Sequence, residues 1–101
     1  MSLCSAADLP QDLLLQVLDL GAMANPMFKG KGPNMIKGVH APNFPLKHAQ
    51  KDMRLALELG EGLGLPLPTS EAANKQFVSV LESRGDDDFS AVYDAAAPRK
   101  P

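Results

Sequence analysis

Residues Asn43 to Leu65 read NFPLKHAQKDMRLALELGEGLGL, and the reading of this stretch decides the fold. Past Asp52 the polarity falls away: Met53, Leu55, Ala56, Leu57, Leu59 and Leu63 leave only Arg54, Glu58 and Glu61 charged. A helix apolar around most of its circumference is normally buried on several sides. The pattern predicts a central buried helix over Pro45–Leu63, with its C-terminal half in the core and its charged N-terminal end at a surface or cleft. That end carries Phe44, Lys47, His48, Lys51 and Asp52, the one cluster in the chain with chemical potential. Residues three or four apart share a helix face. Lys47, Lys51 and Arg54 then form a basic stripe. His48, Asp52, Leu55 and Leu59 form a second, which puts the Asp52 carboxylate at the rim of the apolar region. Lys51 and Asp52 point roughly 100° apart and need not pair. Lys47 and Lys51 repel by roughly 0.2–0.5 kcal/mol, a cost that a bound anion would offset. A solvated charged face is the plainer alternative.

Composition limits what surrounds this helix. The chain has 101 residues, 45% hydrophobic but only 5% aromatic and without Trp. Leu, Ala and Met supply the apolar content, which favours packed helices over sheet. With 10 basic and 12 acidic side chains the net charge is −2, against general nucleic-acid binding, which needs a basic surface. Cys4 is the single cysteine, so no disulfide closes within the chain and a reducing compartment is expected. No run approaches the roughly 18 apolar residues of a membrane span, and Met1–Leu9 lacks the features of a signal peptide. A soluble, intracellular chain is the expectation.

In order, Met1–Leu9 reads as a helix stub or an unstructured start. Pro10–Leu20 reads as a helix with Leu13, Leu14, Val17 and Leu18 on its apolar face and Gly21 as a left-handed stop. Between Ala22 and Pro42, Asn25 caps and Pro26 opens a short helix that Gly30, Gly32 and Pro33 are expected to interrupt after one or two turns. The Gly30-Lys31-Gly32 triplet lacks the spacing and GK[ST] ending of a phosphate loop, so Lys29 and Lys31 read as solvated. Asn43 or Phe44 is expected near the cap of the central helix, which ends around Gly62–Gly64. Leu65–Pro68 reads as an extended linker, and Thr69 or Ser70 caps a helix over Glu71–Arg84 with the apolar line Ala73, Phe77, Val80 and Leu81. Asp86, Asp87 and Asp88 precede a last short helix as capping acids, without the ligand spacing of a calcium loop. Ala97–Pro101 should fray. His40 and His48 are too far apart and too unaccompanied for a metal site, and no metal is expected. The fold expected is all-α, a bundle of about four to five helices.

The runs Leu18–Gly38, Phe44–Phe77 and Asp86–Ala95 are similar to the C-terminal domain of β-hydroxyacid dehydrogenases. Within that family the chain most resembles the glyoxylate/succinic semialdehyde reductases, related to 3-hydroxyisobutyrate dehydrogenase. The most specific element is Lys-Asp-hydrophobic-x-x-Ala at Lys51, Asp52, Met53 and Ala56. The resemblance implies an NAD(P)-dependent oxidoreductase of small aldehydes or β-hydroxyacids, in which a Rossmann domain binds NADP or NAD and the helical domain closes the cleft and makes dimer contacts. It makes Lys51 the cofactor-binding lysine. It puts Phe44, Asp52 and Lys47 at the substrate cleft, with Phe44 excluding water beside the nicotinamide. It also implies that the family's catalytic lysine lies upstream of Met1, so no catalytic residue is assigned here. Neither a GxGxxG after a strand nor the family's Ser-Gly-Gly segment is present, so the chain lacks the Rossmann domain.

On that resemblance, residues 1–9 are a truncated or disordered start, 10–97 the helical C-terminal dehydrogenase domain and 98–101 a frayed tail. Alone the chain is expected to be inactive. Its expected partners are the cofactor, a small-molecule substrate and a second copy of the chain, with no nucleic acid and no membrane. The location is cytoplasmic or organellar. The alternative is a free-standing helical association module or a non-functional fragment.

Overall fold

The computed structural model describes residues 1–96, so the expected fray over Ala97–Pro101 lies outside the described residues. Within them the fold is all-α: α1 (Ser2–Ala6), α2 (Gln11–Asp19), α3 (Pro26–Lys37), α4 (Leu46–Gly62), α5 (Pro68–Arg84), a 3-10 turn (Phe89–Val92) and α6 (Tyr93–Ala96). Among the described residues the only strand-like pairing is a single antiparallel bridge between Pro45 and Asp88. The helices form two pairs, α2 with α3 and α4 with α5, and the 3-10 turn touches α3, α4, α5 and α6. Gln11 Nε2 ties the two ends of the chain together by donating to Tyr93 Oη at 2.8 Å.

Several boundaries differ from the sequence reading. The largest is α3, which runs unbroken through Gly30, Gly32 and Pro33 instead of stopping after one or two turns. Both of its ends are closed. Asn25 Oδ1 accepts from Phe28 N at 2.9 Å. At the other end Gly38 takes φ 66°, and Val39 N bonds back to Asn34 O at 3.1 Å in a left-handed stop. Gly32 is buried because the side chain of Leu15 occupies the space that a Cβ would fill. Leu15, absent from the apolar face read off the sequence, is thus the contact that seats α2 on α3. Gly21 is not left-handed, since positive φ among the glycines occurs only at Gly38 and Gly64. Finally, α5 begins at Pro68, so Thr69 and Ser70 lie inside its first turn and do not cap it. Proline suits a first helical turn because no intrahelical partner awaits its missing donor.

The central helix ends as expected, at Gly62, with Gly64 at φ 67° and Leu65 N bonding to Gly60 O at 2.9 Å. Its burial is not as expected. Leu55 is 48% exposed, Leu59 65% and Leu63 72%, so the C-terminal half of α4 does not form the core of this chain. The buried cluster sits at the other end, where Leu46 in the first turn of α4 meets Val80 of α5 and Ala91 of the 3-10 turn. Phe77, Leu81, Phe89, Val92 and Ala95 pack around it. The reason is geometric: α5 covers one side of α4, and nothing among the described residues covers the line His48–Asp52–Leu55–Leu59.

What locks the core end is polar. Asp88 is fully buried, and its Oδ1 accepts from Lys31 Nζ at 2.9 Å, Asn43 N at 3.1 Å and Phe44 N at 3.2 Å. Its Oδ2 accepts from Ser90 N at 3.0 Å, the capping role foreseen for the acidic run. Lys31 is therefore not a solvated loop lysine: its side chain is only 13% exposed and its ammonium also lies 5.0 Å from the centre of the Phe89 ring. Burial by itself would raise the Asp88 pKa. Lys31, Ser90 and the Phe44 amide outweigh it and hold the carboxyl well below the usual carboxylate range.

Gly30 faces open space, so Gly30→Ala should stabilise the chain by about 0.5–1 kcal/mol through helix propensity. Gly32→Ala must push Leu15 aside and should lose about 1–3 kcal/mol relative to it, read from urea midpoints of the two variants. Removing the buried carboxylate strands Lys31, so Asp88→Ala should cost about 3–5 kcal/mol. Because the folded pKa is depressed, that contribution is complete above the unfolded pKa of about 3.9 and is lost as pH falls below it. Urea titrations should show wild type losing stability from about pH 5 downward more steeply than Asp88→Asn; equal slopes would contradict the assignment.

Candidate functional site

The residues singled out in the sequence sit on the loop before α4 and on its first turns. Why α4 starts there follows from its amide partners. Leu46 N bonds to Asp87 O at 2.8 Å and Lys47 N to Gly85 O at 3.0 Å, so carbonyls of the segment after α5 satisfy donors that would otherwise be orphaned. Pro45, and not Asn43 or Phe44, is the residue that flanks the first turn. The same amides are thereby withdrawn from any role in binding an anion.

Phe44 keeps 42% of its surface exposed. Its ring lies 6.0 Å from that of His48 and meets Phe89 edge-on at 6.3 Å, distances typical of favourable aromatic pairs. Lys47 turns towards the end of α5, where its Nζ meets Asp86 Oδ1 at 2.6 Å. That hydrogen bond and the lysine charge lower the Asp86 pKa. The like-charge cost between Lys47 and Lys51 is thus relieved by a carboxylate of the chain, and no external anion is required. Lys51 Nζ does pair with its neighbour, at 3.1 Å from Asp52 Oδ1, because its long stem reaches around the helix. Both groups remain about half exposed, and His48 on the same face as Asp52 is exposed.

The structure thus gathers Phe44 with His48 and Lys51 with Asp52 at one exposed end of α4, and separates Lys47 into a second grouping with Asp86. An open aromatic face beside an ammonium with donors to spare and a carboxylate is suited to a polar, partly aromatic ligand. Metal binding has no support in the geometry: among the described residues no three His, Cys, Asp or Glu side chains come together. Ser90 and His40 are close, with Nδ1 2.8 Å from Oγ, but both are buried, and the Asp88 carboxylate bonds to Ser90 while only the Asp88 backbone N meets His40, at its carbonyl oxygen. A hydrolytic triad needs the histidine between the other two.

Sequence reasoning foresaw Asp88 only as a capping acid and missed the buried support that it forms with Lys31, His40 and Ser90. The one available signal was Asp88 two residues ahead of Ser90, the spacing of a side-chain-to-backbone turn.

Comparison with known proteins identifies the family. The family model described as the NAD-binding domain of NADP-dependent 3-hydroxyisobutyrate dehydrogenase matches residues 1–96. Glyoxylate/succinic semialdehyde reductase 1 of Arabidopsis thaliana is 54% identical over 94 residues, covering 92% of this chain and 32% of that protein. The chloroplastic reductase 2 of the same plant is 47% identical over 91% of this chain and 26% of its own length. The human cytokine-like nuclear factor N-PAC is 35% identical over 94% of this chain and 17% of that protein. The crystal structure of 3-hydroxyisobutyrate dehydrogenase from Salmonella typhimurium superposes with a TM-score of 0.84 at 26% identity, covering 92% of this chain and 33% of that one. The chain therefore spans about a third or less of each of these relatives. By fold and by sequence it belongs to the 3-hydroxyisobutyrate dehydrogenase family, in the region that the family model describes as NAD-binding.

Proposed function

We propose that residues 10–97 serve as the cofactor-cleft domain of an NAD(P)-dependent reductase of small aldehydes or β-hydroxyacids, of the glyoxylate or succinic semialdehyde type. The observation that carries this reading is the grouping of Phe44, His48, Lys51 and Asp52 at one exposed end of α4, in a chain of this family. The residues fit a nicotinamide: the Lys51 ammonium is half exposed, and its recorded ion-pair partner is an equally exposed carboxylate. The bound cofactor would supply the hydride. Lys51 would donate to the bound cofactor, and Asp52 would set the direction of that ammonium. Phe44 would cover the nicotinamide side of the cleft and keep water from the hydride path. A dinucleotide-binding domain and the general acid come from polypeptide other than this chain, which alone turns nothing over. A reducing compartment, cytoplasm or organelle, suits the single Cys4, and no helix among the described residues is long and apolar enough to cross a membrane.

A chimera tests the reading. Residues 1–96 replace the matching third of the Arabidopsis reductase 1, and glyoxylate reduction is followed by NADPH absorbance. Activity is expected, and Lys51→Ala should lower kcat/KM by roughly tenfold to a hundredfold, the value of a charged hydrogen bond. A folded chimera indifferent to Lys51→Ala would overturn the assignment.

A second reading, an association module that pairs with another copy of the chain, draws on a specific observation. Leu55, Leu59 and Leu63 form an exposed apolar row, which monomeric proteins rarely leave open. Light scattering on the purified chain should give a mass above 10.8 kDa, and a clean monomer would rule this reading out.

A further inference from the structure

We propose that Asp88, paired with Lys31, is the positioning residue for Phe44: it fixes the backbone of the Asn43–Phe44 loop and with it the aromatic edge of the cleft. The inference rests on the cleft reading of Phe44 given above, but its physical basis is independent of it. A cap for the 3-10 turn needs one acceptor, which Asp88 Oδ2 supplies to Ser90 N. Serine or threonine in that place would do the same without burying a charge. The other oxygen explains why a carboxylate is present. Oδ1 accepts three donors at once, and two of them are the amides of Asn43 and Phe44. The next residue completes the hold, since Phe89 N donates to Phe44 O at 2.9 Å. Both polar backbone groups of Phe44 are therefore bound to consecutive residues, which leaves its φ and ψ little freedom.

The side chains repeat the arrangement. Phe89 presents its ring edge-on to Phe44, and Lys31 touches both the Asp88 carboxylate and the Phe89 ring. One lysine of α3 thus neutralises the group that holds the Phe44 backbone and caps the ring that holds the Phe44 side chain. Lys51 is outside this arrangement, because the α4 first turn is fastened separately by the carbonyls of Gly85 and Asp87. Loss of Lys31 should therefore loosen Phe44 while α4 stays in place.

The test compares wild type with Lys31→Met, Lys31→Arg and Asp88→Asn. By NMR of the chain, Lys31→Met should weaken the ring contacts of Phe44 with Phe89 and His48 and speed hydrogen exchange at the Asn43 and Phe44 amides, with the α5 amides still protected. Lys31→Arg, which keeps the cation, should restore both. In the chimera, Lys31→Met should lower kcat by roughly tenfold to a hundredfold, as misplacement at a reacting centre does. Added to Phe44→Ala it should cost nothing further, whereas a purely structural role would give additive losses. Unchanged Phe44 contacts, additive losses, or failure of both Lys31→Met and Asp88→Asn to fold would each overturn the proposal. If Phe44→Ala leaves the chimera fully active, the cleft reading of Phe44 fails, and the proposal that rests on it falls with it. If only the NMR contacts of Lys31→Met stay unchanged, the positioning claim fails and the cleft reading stands.

Discussion

The structure depends on a single buried carboxylate. Taking Asp88 out of water costs several kcal/mol, and the fold recovers this only because a cation and three amides converge on its two oxygens. Those donors come from α3, from the loop before α4 and from the 3-10 turn, so one side chain holds three parts of the chain in register. The apolar core is small and adjoins this centre: Leu46, Val80 and Ala91 are its only buried members among the described residues. Hydrophobic burial is roughly additive and non-directional, whereas a satisfied buried charge accepts one arrangement of its donors.

The three consecutive aspartates show how position divides labour among identical residues. Asp86 is almost fully exposed and holds Lys47 at the surface. Asp87 pairs with Arg84 at the end of α5, and Arg84 also reaches Asp94 of α6. Asp88 turns inward to Lys31. Surface pairs of the first two kinds contribute little, and the weight of the run falls on its last member.

The open side of α4 gives the architecture its direction. Charged groups occupy its N-terminal end and uncovered leucines its C-terminal half, with His48, Asp52, Leu55 and Leu59 on one line of the helix. His48, Asp52 and the apolar row thus share one unshielded face, while the buried polar clamp of Asp88 and Lys31 lies at the core end.

Periodicity and helix punctuation made the all-α class, the end of α4, the Asn25 cap and the apolar line of α5 legible from the sequence, because these depend on residues within a few positions of one another. The Lys51-Asp52 motif pointed to the family and to one end of one helix, and the chain's helices bring Phe44, His48, Lys51 and Asp52 to that end. Which face of α4 is buried was not legible, since an apolar stripe states that it needs cover and not what covers it. The burial of Gly32 inside α3 depended on Leu15 from another helix. The pairing of Lys31 with Asp88 joins residues 57 positions apart, and in the sequence each looks like an ordinary surface charge. Local chemistry thus determined the elements and nominated the site. Only the tertiary structure decided which charge is buried, because burial depends on donors that the chain brings together from afar.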